Sequence, residues 1–370
     1  MTDFVVIGGG IAGVAAAAHL APHGSVTLVE AETALAYHTT GRSAALFLVN
    51  YGSAASRAFA TASRLFLEYP DDGLVDAPLL TERGLMWIAN EAQVATVKEI
   101  GRQGQQSDTG NRWLTAAEAL ELVPVLRRDV VAGALYEPEA FDIDVAGLHQ
   151  AFVRLARRRD ATIRTEARAT AIERDGNGWA VTVGGETISC GSVINAAGAW
   201  GDSVATLAGV KPIGLRPMRR TAFMVPGDPQ YSDWPMVVEG GDRFYFKPDG
   251  GQLFCSLSEE NADQPSDVRP RMEDVALAIE RINETTTLGI RSVNSQWAGL
   301  RTFAPDRELV IGEDPEVPGF YWLVGQGGSG VMTAPAYGAL LASQVAGTDM
   351  PIELATAGLD PTGLDPGRFQ

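Results

Sequence analysis

The start of the chain alternates between short apolar runs and a glycine-rich turn. Residues 4–7 are apolar without interruption, an alanine-rich stretch covers residues 14–20, and a second apolar run covers residues 26–30. Apolar runs that lack polar alternation are typical of strands buried on both faces of a parallel sheet. The pattern therefore predicts a β-α-β unit at the start of the chain.

Helical and hairpin patterns fill the next part of the chain. Residues 91–123 are mixed and indicate mainly helix, and residues 144–159 carry apolar side chains at helical spacing behind Asp144, a residue type that caps helices. Two β-rich runs, 167–173 and 179–183, flank an Asp-Gly-Asn-Gly turn. We expect a helix that begins at Asp144 and a β-hairpin after it.

The pattern changes to β-strands and turns after residue 220. Four runs with strand character cover residues 221–225, 236–239, 243–247 and 252–256, and glycine-rich turns separate the later ones. This spacing predicts an antiparallel sheet. The remaining predicted elements are a helix at 272–289, strands at 192–198, 309–311 and 321–324, and a final helix at 331–345.

These elements predict two architectures in one chain. The fold class is α/β: a dinucleotide-binding domain of Rossmann type, with an inserted α+β domain built on an antiparallel sheet. We predict that residues 1–78, 142–205 and 299–370 form the first domain, which is discontinuous. Residues 79–141 and 206–298 then form the inserted domain.

Composition excludes several classes of protein. A net charge of −17 opposes nucleic acid, and no apolar run reaches the length of a membrane-spanning helix. The two cysteines, Cys190 and Cys255, are far apart, so neither a zinc site nor a disulfide framework is indicated, and we expect no metal. The chain starts without a basic, apolar leader, so we expect a cytoplasmic protein.

The first glycine turn has the spacing of a dinucleotide-binding loop. Gly8, Gly10 and Gly13 follow the first predicted strand and open the first predicted helix, and Glu30 ends the next strand. Gly8 allows a tight turn, Gly10 lets a pyrophosphate approach the backbone, and Gly13 lets helix and strand pack closely. Glu30 is placed to accept hydrogen bonds from an adenosine ribose.

A second glycine-rich loop, residues 325–330, precedes the last predicted helix. The positive end of that helix would stabilise the anionic reduced ring of a flavin, which a nicotinamide does not require. This loop therefore favours FAD over NAD as the cofactor.

Several motifs together resemble the D-amino acid oxidase superfamily of FAD enzymes, and within it the bacterial D-arginine dehydrogenases. The motifs are the first glycine loop with Glu30, Tyr37-His38-Thr39-Thr40-Gly41-Arg42-Ser43-Ala44-Ala45, Asn195-Ala196-Ala197-Gly198-Ala199-Trp200, Trp297-Ala298-Gly299-Leu300-Arg301 and Gln326-Gly327-Gly328-Ser329-Gly330. The resemblance covers nearly the whole chain. It implies a fold of the glutathione reductase type and an extended FAD, which neither cysteine is placed to attach covalently.

The resemblance also implies which residues contact FAD. They are Gly8, Gly10, Ile11, Ala12, Gly13, Glu30, His38, Thr40, Gly41, Arg42, Ser43, Ala44, Ala45, Ala197, Gly198, Trp200, Gly327, Gly328, Ser329, Gly330, Val331, Met332 and Thr333.

A substrate clamp is implied as well. By resemblance, Arg301 and Arg220 bind a substrate carboxylate, Tyr51 and Tyr245 add hydroxyl bonds, and the carbonyl of Gly328 binds the amine. Such a clamp suits the chemistry, because a bidentate arginine fixes a carboxylate rigidly and so orients Cα. Neighbouring residues of a strand point to opposite faces, so only one member of the Arg219-Arg220 pair can enter the pocket; the resemblance selects Arg220. The same alternation separates Tyr245 from its two phenylalanine neighbours.

Departures from the arginine-specific relatives concern the pocket. Leu85 stands where those enzymes have a glutamate for the substrate guanidinium, and Leu46 and Leu48 stand where they have polar side chains. A cation buried against leucine lacks a counter-charge, which is costly. With Met236 and Val238 as further pocket residues, we expect neutral, apolar substrates rather than D-arginine or D-lysine.

The implied activity is FAD-dependent oxidative deamination of D-amino acids. Hydride moves from Cα to flavin N5, and the imino acid formed hydrolyses to a 2-oxo acid and ammonia. Two alternatives stay open: an oxidase of secondary amines of the glycine or sarcosine type, and a non-catalytic FAD-binding partner subunit. The sequence also leaves open whether O2, a quinone or another carrier accepts the electrons.

Overall fold

Strands and helices alternate through the computed structural model, which describes residues 2–104 and 109–369. The strands are β1 Thr2–Ile7, β2 Val26–Val29, β3 Leu46–Phe47, β4 Leu80–Glu82, β5 Leu85–Ala89, β6 Arg112–Thr115, β7 Gly133–Glu137, β8 Phe141–Ile143, β9 Thr162–Arg164, β10 Ala169–Asp175, β11 Gly178–Val183, β12 Glu186–Asn195, β13 Arg216–Pro226, β14 Met236–Glu239, β15 Tyr245–Asp249, β16 Gln252–Ser256, β17 Asn261–Ala262, β18 Ser295–Phe303, β19 Val310–Glu313 and β20 Phe320–Val324. The helices are α1 Ile11–Leu20, α2 Ala54–Glu68, α3 Val94–Gly104, α4 Ala116–Leu122, α5 Val145–Arg158, α6 Gly201–Leu207, α7 Met272–Thr285, α8 Ala334–Ala346 and α9 Ile352–Thr356.

The first sheet is parallel at its centre, as predicted. β1 lies between β2 and β12 and is parallel to both, and β9 and β20 extend the parallel part on either side. Val5 and Val6 are fully buried because layers cover both faces of the sheet. The alanine-rich helix α1 packs against α5 and α8 in the same core, and its N-terminus lies at the carboxyl end of β1. The predicted β-α-β unit is confirmed.

Two local predictions in this sheet are also confirmed. β10 and β11 pair as an antiparallel hairpin closed at Asp175 and Gly178. The side chain of Asp144 accepts a hydrogen bond from the backbone N–H of Gly147 at 2.8 Å and so caps α5.

The second sheet contains the predicted antiparallel strands and several others. β13, β16, β15 and β14 lie side by side in antiparallel order. β14 is parallel to β5, and β5, β7 and β6 continue the sheet. β18 pairs with β13 from Arg216 to Met224, a pairing that the sequence pattern did not reveal.

Three predicted helices differ from the structure. The segment predicted as mainly helical at 91–123 contains strand β6, because pairing with β7 overrides its local preference, and residues 105–108 of that segment lie outside the described residues. The last helix begins at Ala334 rather than at residue 331, since consecutive turns occupy residues 327–333. α7 ends at Thr285 rather than at residue 289, because the backbone of the next residue, Thr286, is extended.

The two faces of the second sheet have different roles. Phe244 and Phe246 belong to the core on the face that α7 covers, whereas Tyr245 belongs to a cluster on the opposite face. That opposite face is turned toward the two glycine loops. The predicted alternation around Tyr245 is confirmed, and it brings part of the second sheet to the cofactor side of the molecule.

One predicted domain boundary falls inside a strand. The boundary between residues 298 and 299 lies within β18, and the division into two domains stays a prediction. Both cysteines are free and buried. The cytoplasmic location also stays a prediction. Among the residues described, no helix is long and apolar enough to cross a membrane.

Candidate active site

A cavity of about 380 Å³ extends from the first glycine loop to the face of the second sheet. The predicted residues that line it come from distant segments of the chain. They are Gly8, Gly10, Ile11, Ala12, Glu30, His38, Thr40, Arg42, Ser43, Ala44, Ala45, Leu46, Leu48, Tyr51, Leu85, Ala197, Gly198, Trp200, Arg220, Met236, Val238, Tyr245, Arg301, Gly327, Gly328, Gly330, Val331 and Met332.

Four residues predicted to contact the cofactor do not line the cavity. Gly13 packs behind the loop, where a Cβ would meet the Gly8 carbonyl oxygen at 1.8 Å. Gly41 borders a smaller cavity on the far side of the loop. Ser329 and Thr333 are buried, and the Thr333 hydroxyl donates a hydrogen bond to the Ser329 carbonyl at 2.9 Å. These four residues therefore shape the loops around the large cavity without lining it.

The first glycine loop presents backbone N–H groups to the cavity. Gly8 has φ +112°, a conformation that favours glycine. The first N–H of α1, on Ile11, donates to the Thr40 hydroxyl at 3.0 Å, and no side chain caps the rest of this helix start. Glu30 accepts the Gly9 N–H at 2.6 Å, so it braces the loop. An anion such as a pyrophosphate fits this helix N-terminus.

The segment around His38 forms a second wall. The His38 ring lies 4.6 Å from the Trp200 ring, its Nε2 lies 3.0 Å from Glu32 Oε1, and its buried Nδ1 has no protein partner among the described residues. The Arg42 guanidinium donates to the Ala298 carbonyl at 2.9 Å and pairs with Asp267, which holds the pKa of that carboxyl below its usual value. His38 thus has a free nitrogen for a bound group, whereas Arg42 ties its loop to β18.

The second glycine loop meets the proposed clamp at Gly328. A Cβ placed on Gly328 would lie 2.8 Å from the Tyr51 hydroxyl and 3.4 Å from Arg301 Nη1. Gly327 takes φ +54° and donates its N–H to the Thr302 carbonyl at 2.9 Å. Residues from three distant segments therefore converge on one point of the cavity wall.

Arg301 and Arg220 have different surroundings. Arg220 donates to the Glu259 carbonyl at 2.8 Å and lies 3.7 Å from the Glu260 carboxylate. The Arg301 guanidinium forms no hydrogen bond or ion pair with any of the described residues. Desolvation opposes its charge, but the nearby oxygens of Tyr245, Tyr51, Asp242 and Glu260 favour the charged form, so its pKa is above the usual value. A half-buried guanidinium with unused donors is a receptor for an anion.

The two guanidiniums also act on nearby acidic groups. Burial opposes ionisation of Tyr245, but Arg301 and Arg220 outweigh it, so the pKa of the Tyr245 hydroxyl is below its usual value. Burial raises the pKa of Asp242, and the same two arginines only partly offset that effect. The site is therefore strongly electropositive around Arg301.

The rest of the substrate part of the cavity is apolar. The side chains that line it include Leu46, Leu48, Leu85, Trp87, Met236, Val238 and Phe254. The three leucines that mark the departure from arginine-specific enzymes thus share one wall. It offers no counter-charge to a cationic side chain.

Asp242, Trp87 and Phe254 were missed by the sequence analysis. Asp242 belongs to the Gly240-Gly241-Asp242 turn, which sequence reasoning explained fully as a hairpin connection. Trp87 shares a face with Leu85 through strand alternation, so the period-2 rule applied to β5 could have found it. Phe254 lies next to Tyr245 across the β15–β16 pair, with ring centroids 6.1 Å apart.

Comparison with protein families gives a match over most of the chain. The family described as DAO, FAD dependent oxidoreductase, matches residues 3–344. The chain is 26% identical to mitochondrial sarcosine dehydrogenase from Homo sapiens, over 92% of this chain and 39% of that protein. It is 24% identical to glycine oxidase from Geobacillus kaustophilus (strain HTA426), over 66% of this chain and 64% of that protein. It thus spans less than two thirds of either relative.

Solved structures show the same fold. Glycine oxidase from Geobacillus kaustophilus matches with a TM-score of 0.85 at 22% identity and covers 98% of both chains. L-proline dehydrogenase from P. horikoshii matches with a TM-score of 0.85 at 23% identity, over 100% of this chain and 97% of the other. These matches confirm the predicted fold class. The proteins named are not D-arginine dehydrogenases, so the narrower resemblance is not confirmed.

Proposed function

The chain belongs to the DAO family of FAD-dependent oxidoreductases, and on that premise we propose that it oxidises the amine of an amino acid of the glycine and sarcosine type, preferring N-substituted ones such as sarcosine. The names of its relatives, sarcosine dehydrogenase and glycine oxidase, support this choice. The proposal ranks secondary amines above D-amino acids as substrates, which reverses the order expected from the sequence.

The unpaired guanidinium of Arg301 is the observation that carries the proposal. It lies beside Gly328 and the Tyr51 hydroxyl in the wall of a mainly apolar cavity. This half-buried guanidinium has no partner, so an anionic group of the substrate gains both ion pairing and bidentate hydrogen bonds there. A carboxylate has the matching planar shape. The clamp therefore favours amino acids over amines that lack a carboxylate.

FAD, when bound, accepts the hydride that leaves Cα. The described residues of this chain would hold that carbon in place: Arg301 and Arg220 fix the carboxylate, and Tyr51 and Tyr245 add hydrogen bonds to it. Gly328 leaves room next to the guanidinium for the amine, since any larger residue would project toward Tyr51. Fixing the carboxylate and amine at two points orients the Cα–H bond.

Proton transfer needs little from the protein in this scheme. Of the described residues around Arg301 in the cavity, Asp242 is the carboxylate, and no histidine lines that part. The electropositive surroundings favour loss of the amine proton, because two guanidiniums disfavour a further cation. The substrate then reacts with its amine neutral.

Apolar D-amino acids are a second candidate, favoured by the leucine wall. Leu46, Leu48 and Leu85 could pack against an aliphatic Cα side chain as well as against an N-alkyl group. D-Arginine is disfavoured in both cases, since this wall offers its guanidinium no partner.

Anaerobic bleaching of the flavin tests the proposal. The purified yellow protein is mixed with sarcosine, N-methyl-L-leucine and L-proline, then with D-leucine, D-methionine and D-arginine, and each rate is compared with that for L-leucine. Rapid bleaching by the N-substituted compounds supports the main proposal. Bleaching by D-leucine and D-methionine alone would replace it with the second candidate. Absence of bleaching by any amino acid would indicate a non-catalytic FAD-binding subunit.

A further inference from the structure

Gly9, in the middle of the first glycine loop, is held by hydrogen bonds on both of its peptide groups. The Gly9 N–H donates to Glu30 at 2.6 Å, and the Gly9 carbonyl accepts the Ala36 N–H at 3.1 Å. On its other side the same carbonyl oxygen lies 3.0 Å from Nε2 of His149.

His149 lies on α5, outside the FAD-binding cavity. Its side chain is 2% exposed, and it borders the smaller cavity on the far side of the loop, together with Gly41 and Gln150. A carbonyl oxygen only accepts hydrogen bonds, so the contact fixes the proton on Nε2. Burial lowers the pKa of the imidazole, which is therefore neutral near pH 7.

The orientation of this peptide decides what the loop presents to an anion. The C=O and the N–H of one peptide point in opposite directions, so a Gly9 carbonyl held in the protein turns the Gly10 N–H the other way, toward the large cavity that Gly10 lines. Without the His149 bond the Gly9 carbonyl keeps only the Ala36 N–H as a donor. The peptide is then held less firmly and can rotate toward water or toward the cavity.

We propose that His149 is a positioning residue for FAD binding, which acts by holding the Gly9 carbonyl away from the pyrophosphate. It touches neither the cavity nor the substrate clamp, so its effect passes through the glycine loop alone. The inference depends on the family's cofactor and is independent of which amine is oxidised.

The release of FAD from the holoenzyme tests this role without any substrate. FAD fluorescence rises when the cofactor leaves, so its dissociation rate is measured after dilution of the protein. We expect His149→Phe, which keeps the ring but removes the donor, to speed release about tenfold, equivalent to about 1.4 kcal/mol. His149→Gln carries an amide N–H near the position of Nε2, and its rate should stay within about threefold of the wild type.

His149→Asn and His19→Phe are the matched controls. The shorter asparagine amide falls near Nδ1 and does not reach Gly9, so this polar variant should release FAD as fast as His149→Phe, and it decides the matter if His149→Phe does not fold. His19 lies half-buried on α1 beside Phe152, and its buried Nε2 has no partner among the described residues. His19→Phe should leave the release rate unchanged.

Two results would overturn the role. Equal release from the wild type, His149→Asn and His149→Phe would show that the contact does not influence FAD. Equal acceleration in His149→Gln and His19→Phe would show a general packing effect of this core. Failure of the amine panel described above would affect neither comparison.

Discussion

Arg219 and Arg220 are neighbours on β13, yet they serve opposite faces of the second sheet. Arg219 is 2% exposed and donates to Asp263 at 2.8 Å, with Asp274 at 3.5 Å. Arg220 reaches the large cavity instead. One strand thus supplies both a structural ion pair and a part of the substrate clamp.

Substitution of these two arginines should separate stability from binding. Arg219→Met leaves two half-buried carboxylates without their cation, and we expect it to lower the free energy of unfolding by about 1–3 kcal/mol. Arg220→Met removes one partner of the substrate carboxylate and should raise KM about tenfold or more at nearly unchanged stability. Urea unfolding and steady-state kinetics measure the two effects. A larger loss of stability in Arg220→Met than in Arg219→Met would contradict the assignment.

Arg301 should matter most for substrates that carry a carboxylate. Arg301→Met is expected to lower kcat/KM by about a hundredfold or more, since truncating a buried charge pair costs about 2–5 kcal/mol. Arg301→Lys keeps the charge but loses the bidentate fork, so it should recover only part of the activity. Tyr51→Phe, which removes one hydrogen bond, should lose about tenfold. Similar losses in all three variants would argue against a dominant guanidinium.

Two neighbouring glycines provide a matched pair of tests. Gly328→Ala adds a methyl group next to the Tyr51 hydroxyl and Arg301, so we expect a KM at least about tenfold higher with FAD content unchanged. Gly327→Ala forces an L side chain into φ +54° and against the Phe303 ring, so it should reduce stability first. Thermal unfolding and flavin absorbance distinguish them. Loss of FAD in Gly328→Ala with normal substrate binding would refute this division of roles.

Glu137 should make stability depend on pH. Burial raises its pKa to about 7, and its carboxylate accepts a hydrogen bond from the Asn50 amide at 3.2 Å. The folded protein therefore holds this proton at pH values where the unfolded chain, with a carboxyl pKa near 4.5, has lost it. The contribution of Glu137 to the free energy of unfolding therefore falls by up to about 3 kcal/mol as the pH rises from about 4.5 to 7.

Glu137→Gln removes that dependence. The variant should be more stable than the wild type at pH 8, with little difference at pH 5, when urea unfolding is compared at the two values. Glu91→Gln is the control, because Glu91 is solvent-exposed and is not among the groups that raise the pKa of Glu137. A pH profile of Glu137→Gln identical to that of the wild type would show that Glu137 does not titrate in this range.

Local rules predicted much of this molecule, and long-range contacts account for what they missed. Strand alternation separated Arg220 from Arg219 and Tyr245 from its phenylalanine neighbours, because it needs only the sequence around them, and the family resemblance then selected Arg220 for the cavity. β18 was missed because its pairing partner, β13, lies about 80 residues earlier in the chain, and β6 was missed because its short pairing with β7 overrides a segment of mainly helical pattern. His149 shows the same limit: its partner Gly9 is 140 residues distant, so helical spacing could indicate burial but not the carbonyl that it faces.

The most direct test of the account compares two amines that differ only in the carboxylate. Anaerobic bleaching of the flavin is followed with N-methyl-L-leucine and with N-methylisopentylamine, its analogue without the carboxylate, in the wild type and in Arg301→Met. We predict that the wild type reacts at least about a hundredfold faster with the amino acid and that the preference largely disappears in the variant. Equal rates with both amines in the wild type would contradict the carboxylate clamp.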